Sequence, residues 1–239
     1  MFRNKKVIIF DMDGTLIDSI GIWNKTDEIL IKKLAGREVK LPNIQQIRDR
    51  ILSECKAGDI YLEYCSVLGK KFNSNLTPKE ILELRDSISD DYLKNSIDYK
   101  PYADSLLHLL KENGYTLALA TTTTSSKLDI YRHHNINIKS KADIDEIFSL
   151  VLSKDDVQEK KPSPEVHHKI LQAFNVEPSE CLIIEDSLIG VEAAVNAGID
   201  VAVIYDKYSD VDRERIKELS QYHFNNFEDI VNTVKSELE

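Results

Sequence analysis

Short apolar runs and amphipathic stretches alternate along most of this chain. Five runs are too brief for helices and rich in strand formers: Val7 to Phe10, Tyr115 to Ala120, Phe148 to Ser153, Cys181 to Ile184 and Val201 to Tyr205. The first, Val7 to Phe10, is unbroken, as expected of a parallel strand buried on both faces. Helical patterns separate them. Pro101 opens a helix through Leu106, Leu107, Leu109 and Leu110 that Gly114 closes. Ser125 or Ser126 can cap a second helix that carries Leu128, Ile130 and Tyr131 and ends near His134. Ser163 and Pro164 start a third helix that ends at about Phe174, and a fourth runs from about Leu188 to Gly198. Two short amphipathic helices are expected around Tyr222 to Phe224. Strands alternating with helices predict an α/β fold, a doubly wound, Rossmann-like parallel sheet.

The stretch after the first strand breaks the alternation. From Asp18 to about Ile97 the periodicity is helical throughout: Ile22, Ile29, Leu30 and Leu34; Ile44, Ile47, Ile51 and Leu52; Ile60, Tyr61, Tyr64 and Leu68. Thr77, Pro78 and Glu80 form a helix start with cap, first-turn proline and capping-box carboxylate. Four or five helices without a strand are most simply a small all-helical domain inserted after the first strand. The expected division is a core of residues 1–17 and 98–239 and a helical domain of residues 18–97.

Composition narrows the function. The 239 residues are 42% hydrophobic and 30% charged, the balance of a globular protein. With 31 basic against 41 acidic residues the net charge is −10, which repels phosphate backbones and anionic lipid; no nucleic-acid or membrane partner is expected. The apolar run after Arg3, Lys5 and Lys6 breaks at Asp11, too soon for a signal peptide, and no segment is long enough to span a membrane. Cys55, Cys65 and Cys181 have neither metal-type nor C-x-x-C spacing, as expected of reduced thiols in a cytoplasmic protein.

The candidate chemistry sits at the strand tips. Asp11 and Asp13 follow the first strand, with Gly14 to turn the chain away. Thr121 and Thr122 follow the second, Lys160 and Lys161 lie in the loop after the third, and Glu185 and Asp186 end the fourth. Ligands of open α/β sheets bind beyond the carboxyl ends of the strands, so these groups can meet in one crevice. Together they meet the needs of phosphoryl transfer. A carboxylate approaching a phosphate dianion meets a repulsion of roughly 4 kcal/mol per unit pair at about 4 Å and an effective dielectric near 20. A hard divalent cation on carboxylate and carbonyl oxygens, Mg²⁺ above all, relieves that repulsion. A lysine adds fixed charge, and a threonine hydroxyl and turn amides hold phosphoryl oxygens.

The same positions, in order, resemble the four motifs of the haloacid dehalogenase superfamily of phosphotransferases. D-M-D-G-T at Asp11 to Thr15 matches the first, L-A-L-A-T ending at Thr121 the second, K-P-S-P-E from Lys161 the third, and I-I-E-D-S-L-I-G-V-E-A-A around Glu185 and Asp186 the fourth. The resemblance implies that Asp11 is the nucleophile and Asp13 the general acid and base. It further implies that Thr121, Thr122 and Lys161 hold the phosphoryl group. The metal would be held by Asp11, the Asp13 carbonyl and Asp186, with Glu185 as a further ligand or its neighbour. By its position the helical insert resembles the small cap of the β-phosphoglucomutase-like branch. Two features depart from the pattern: Lys160 stands where a glycine usually precedes the lysine, and I-N-I-K-S-K-A-D lengthens the segment between Ser125 and Asp145.

The expected activity is Mg²⁺-dependent hydrolysis of a small phosphorylated metabolite through an aspartyl phosphate. The alternatives are a sugar-phosphate mutase, with the same core chemistry, and a non-catalytic phosphate-sensing or partner-binding protein. A dehalogenase would not need Asp13, and a phosphonate hydrolase would need a Schiff-base lysine, for which Lys25, Lys32 and Lys33 offer no special context. Elsewhere ordinary readings are expected. Thr123 and Thr124 are loop residues or helix caps. The neighbours His133 and His134, like His167 and His168, diverge by roughly 100° on a helix and form no chelating face. Trp23 either lines the mouth of the site or packs between helices. Arg48, Arg50 and Lys56 are expected on solvated helix faces, the alternative being contact with the far end of the substrate.

Overall fold

A computed structural model describes residues 1–39, 44–54 and 60–239. Two compact units divide them, Met1–Asp18 with Ile97–Glu239, and Ser19–Ser96.

The first unit is built on one sheet of six parallel strands in the order β3-β2-β1-β4-β5-β6. The strands are β1 (Val7–Phe10), β2 (Thr116–Ala120), β3 (Leu150–Leu152), β4 (Cys181–Glu185), β5 (Asp200–Ile204) and β6 (Tyr222–Phe224). The most apolar run thus takes a central place, where both faces and both edges are covered. Val7, Ile9, Ala118, Ile183 and Val201 share a core with Val166 and Ile170 of α9 (Glu165–Phe174), Val191 and Ala194 of α10 (Leu188–Asn196) and Ile216 of α11 (Arg213–Leu219). Alternation turns Ile8 and Phe10 to the opposite face. There α5 (Ala103–Glu112) and α12 (Phe227–Leu238) pack on one another.

The two helices expected around Tyr222 to Phe224 are α11 and α12, and the residues between them add a strand to the five expected. These residues form a sixth strand, pairing Ala202 with Tyr222, Val203 with His223 and Ile204 with Phe224. Three residues at a sheet edge, with Tyr222 and Phe224 half-buried and His223 exposed, are too short a run to be recognised without their partner. The helix expected up to His134 also differs. Thr124, not Ser125 or Ser126, is the cap, accepting from the Lys127 amide, and α6 (Ser125–Asp129) runs into a π turn, Ile130–His134, where Asn135 N donates to Ile130 O at 2.9 Å. Two short helices, α7 (Ile136–Lys141) and α8 (Ile144–Ile147), complete the lengthened segment.

The second unit holds four helices among the described residues: α1 (Ile20–Ala35), α2 (Ile44–Glu54), α3 (Ile60–Lys71) and α4 (Pro78–Asn95). Leu30, Ile31, Ile44, Tyr64, Cys65, Leu68 and Ile81 form its core. Thr77 and Glu80 close the reciprocal capping box at the start of α4. Arg48 corrects the expectation of a solvated face. It is buried, with Nη1 2.9 Å from Asp27 Oδ2, while Arg85 Nε lies 2.7 Å from Asp27 Oδ1. The Arg85 guanidinium also stacks 5.4 Å from the Trp23 ring centroid, which places Trp23 in helix packing. The helical pattern could not reveal this, because Asp27 belongs to another helix and a buried charge is stable only where a distant partner meets it. Arg50 is exposed, and Cys55 and Lys56 lie outside the described residues.

No helix among the described residues is long and apolar enough to cross a membrane.

Candidate active site

Register carries the strand tips to one place. Phe10 stands opposite Leu119 of β2 and Ile184 of β4, so one step further along are Asp11, Ala120 and Glu185. Asp11 N still donates to Ile184 O at 3.0 Å, and Thr121 N to Leu152 O at 2.9 Å, which holds both residues to the sheet as the strands end. Gly14, at φ 89°, then turns the chain in a conformation few other residues adopt.

Lys161 enters this row from the loop before α9. Its buried ammonium donates to Asp11 Oδ1 at 2.8 Å, Ala120 O at 2.9 Å and Glu185 Oε1 at 2.9 Å. These acceptors engage all three protons. Despite burial, the two carboxylates hold the lysine above its ordinary pKa. The other Glu185 oxygen accepts from Asp186 N at 2.8 Å, Ser187 N at 2.9 Å and Ser187 Oγ at 3.0 Å. Ser187 in turn caps α10. Glu185 is thus bound on both oxygens, tying Lys161 to the start of that helix.

Asp11, Glu185 and Asp186 are buried, and each offers an oxygen within 4.8 Å of the others'. Asp186 accepts from Thr15 Oγ1 at 2.7 Å on one oxygen and from Ser209 Oγ at 3.4 Å on the other. Burial raises the Asp11 pKa to about 7, with the Glu185 charge adding to the rise and Lys161 opposing it. Burial, with the Glu185 and Asp11 charges, also raises Asp186 well above the carboxylate range. Three carboxylates facing one ammonium are short of positive charge. Among the described residues no protein donor reaches Asp11 Oδ2. A buried cluster of hard oxygen donors lacking countercharge is the donor set that a small divalent cation requires.

The remaining expected residues surround this row. Asp13 is half-exposed, and its carboxylate meets Thr123 Oγ1, Thr121 Oγ1 at 3.5 Å and the Tyr131 hydroxyl at 3.3 Å. Thr121 is buried and accepts from Thr123 N at 3.1 Å. Thr122 is exposed, in a small concavity shared with Thr121, Lys154, Lys160 and Lys161. Nothing in the sequence pattern signals the contacts of Thr123 and Tyr131 with Asp13. A four-threonine run and a lone tyrosine in a helical pattern point nowhere until the π turn and the β2 loop are folded. His133 is exposed against Asp129, while His167 is fully buried with neither ring nitrogen partnered among the described residues.

Known proteins resemble the chain along nearly its whole length. Residues 8–204 match the family model described as haloacid dehalogenase-like hydrolase. The chain is 30% identical over 201 residues to a phosphoglycolate phosphatase of Aquifex aeolicus, covering 83% of this chain and 84% of the relative. It is 27% identical over 197 residues to a phosphorylated carbohydrates phosphatase of Thermotoga maritima, covering 82% of each. A solved Thermotoga maritima structure, provisionally described as a beta-phosphoglucomutase, shares the fold with a TM-score of 0.77 at 21% identity, over 97% of this chain and 99% of that one. The match of family model and relatives over the β1 to β5 sheet, where the acidic strand tips and their lysine lie together, makes this chain a member of the haloacid dehalogenase-like hydrolase family.

Proposed function

We propose that the chain is a Mg²⁺-dependent hydrolase of small phosphomonoesters that works through a phosphorylated Asp11. The observation that carries this reading is the Lys161 ammonium bridging Asp11 Oδ1 and Glu185 Oε1, with Asp186 beside them at the carboxyl ends of parallel strands. The phosphatases among the relatives, named for phosphoglycolate and phosphorylated carbohydrates, support a small phosphorylated metabolite as substrate.

Asp11 Oδ2, which no protein donor occupies among the described residues, is the attacking atom. As it bonds to phosphorus, the bond from phosphorus to the leaving oxygen breaks and Asp13 gives that oxygen a proton. Asp13 then takes a proton from water, whose oxygen bonds to phosphorus while the bond from phosphorus to Asp11 Oδ2 breaks, releasing inorganic phosphate and regenerating the Asp11 carboxylate. Lys161 keeps fixed positive charge beside the attacking carboxylate, and Thr121 and Thr122 hold phosphoryl oxygens from the β2 loop. Glu185 positions Lys161. Asp11, Asp186 and the Asp13 carbonyl would hold Mg²⁺, which when bound supplies the countercharge for two approaching anions.

The test is release of phosphate from p-nitrophenyl phosphate and from a panel of phosphorylated metabolites, with Mg²⁺ and after EDTA, for the wild type and Asp11→Asn. Activity that requires Mg²⁺ and falls at least about a thousandfold in the variant is expected. Retention of most activity by Asp11→Asn refutes the reading. Conversion of a sugar 1-phosphate to the 6-phosphate without phosphate release would reassign the chain as a mutase.

A further inference from the structure

Asp13 stands on the turn that follows β1 and is half-exposed. Three hydroxyls nevertheless converge on its carboxylate. Thr123 Oγ1 donates to Oδ2, Thr121 Oγ1 lies 3.5 Å from the same oxygen, and the Tyr131 hydroxyl donates to Oδ1 at 3.3 Å. Thr121 belongs to the strand-tip row already described. Thr123 and Tyr131 do not: one is in the loop after β2 and the other in the π turn between α6 and α7.

Tyr131 is 1% exposed, so its ring is fixed by the core and its hydroxyl is delivered from a rigid base. The π turn itself is anchored at its end. Buried Asn135 accepts from Ile138 N at 2.9 Å and donates to Ile97 O at 3.0 Å. Isolated π turns inside helices are commonly retained where they aim a side chain at a site.

We propose that Thr123 and Tyr131 are positioning residues that hold the two oxygens of Asp13 for proton transfer with the leaving group. The inference rests on the reading of Asp13 as general acid and base given above. An acid must keep its oxygen within about 3 Å of the atom it protonates, and freedom to rotate away costs rate in proportion to the time spent elsewhere. A lysine or arginine clamp would also fix the carboxylate but would hold it as the anion. A hydroxyl can donate to a carboxylate and accept from a carboxylic acid, so this pair restrains Asp13 before and after it gives up its proton. Contacts to both oxygens from two separate elements oppose rotation about the Cβ–Cγ bond.

The experiment compares kcat/KM, with Mg²⁺ present, for p-nitrophenyl phosphate and for an alkyl phosphate that the wild type turns over. p-Nitrophenolate departs without a proton, whereas an alkoxide needs one. Tyr131→Phe and Thr123→Val are each expected to lower kcat/KM for the alkyl ester by about tenfold and for the aryl ester by less than about twofold. Thr123→Ser, which keeps the hydroxyl, should restore the alkyl value. In an Asp13→Asn background neither substitution should lower the alkyl rate further.

Equal losses on both substrates, no loss on either, or an added loss in the Asp13→Asn background would overturn the inference. The reading beneath it fails separately. If Asp13→Asn does not itself slow the alkyl ester more than the aryl ester, Asp13 is not the acid.

Discussion

Gly190 provides the sharpest test of how Glu185 is held. It lies in the first turn of α10, where replacing glycine by alanine would ordinarily stabilise the helix by about 1 kcal/mol. Here a Cβ would stand 1.6 Å from Glu185 Oε1 and 1.9 Å from its carboxyl carbon. Comfortable non-bonded contact is about 3.5 Å, so the carboxylate or the helix must move by about 2 Å. The carboxylate cannot do so and keep its bonds to Lys161 at 2.9 Å, Asp186 N at 2.8 Å and Ser187 N at 2.9 Å. Overpacking costs about 1–3 kcal/mol, and each hydrogen bond to a charged group about 1.5–3 kcal/mol. Even if only one such bond is lost, the strain outweighs the gain in propensity, and Gly190→Ala should be less stable by about 3 kcal/mol. For a chain of this size that is a fall in Tm of about 6–12 °C. Displacing Glu185 also frees Lys161 from its place beside Asp11, so Mg²⁺-dependent turnover of p-nitrophenyl phosphate should fall by about a hundredfold. Thermal unfolding and steady-state kinetics read the two effects. A variant as stable as the wild type or more so, with unchanged turnover, would refute the packing of Glu185 against α10.

Two further outcomes follow from buried charge elsewhere. With Asp11 raised to about 7 and Asp186 raised as well, the metal-free folded protein keeps protons that the unfolded carboxyls lose near 3.8. Its stability should therefore fall as pH rises from about 4 to about 7, while Mg²⁺ affinity rises and binding releases protons. Calorimetry of Mg²⁺ binding near pH 6 in buffers of different ionisation heat measures that release, and its absence would refute the assignment. In the helical unit, Asp27→Ala would leave the buried guanidiniums of Arg48 and Arg85 without their shared carboxylate. A loss of about 3–5 kcal/mol in urea unfolding is expected. A loss under about 1 kcal/mol would mean that these charges are already solvated.

What the sequence determined by itself is the part of the protein written in local pattern. Apolar runs of four residues such as Val7 to Phe10 and Cys181 to Ile184, alternating with helical patterns, fit strands buried on both faces of a parallel sheet. Thr77, Pro78 and Glu80 start a helix with groups three residues apart. The polar residues closing successive strands could be named because a strand's end is visible where its apolar run stops. Tertiary structure decided whatever depends on a partner far along the chain. Tyr222 to Phe224 became a strand only through β5, whose backbone groups pair with it. Arg48 left the surface because Asp27, on another helix, offsets its desolvation. Thr123 and Tyr131 reached Asp13 through a loop and a π turn whose local composition is indistinguishable from ordinary cap and helix. Hydrophobic periodicity reports which face of an element leaves water, whereas the contacts of a buried polar group depend on the crossing of elements in space, and that crossing has no signature in adjacent residues.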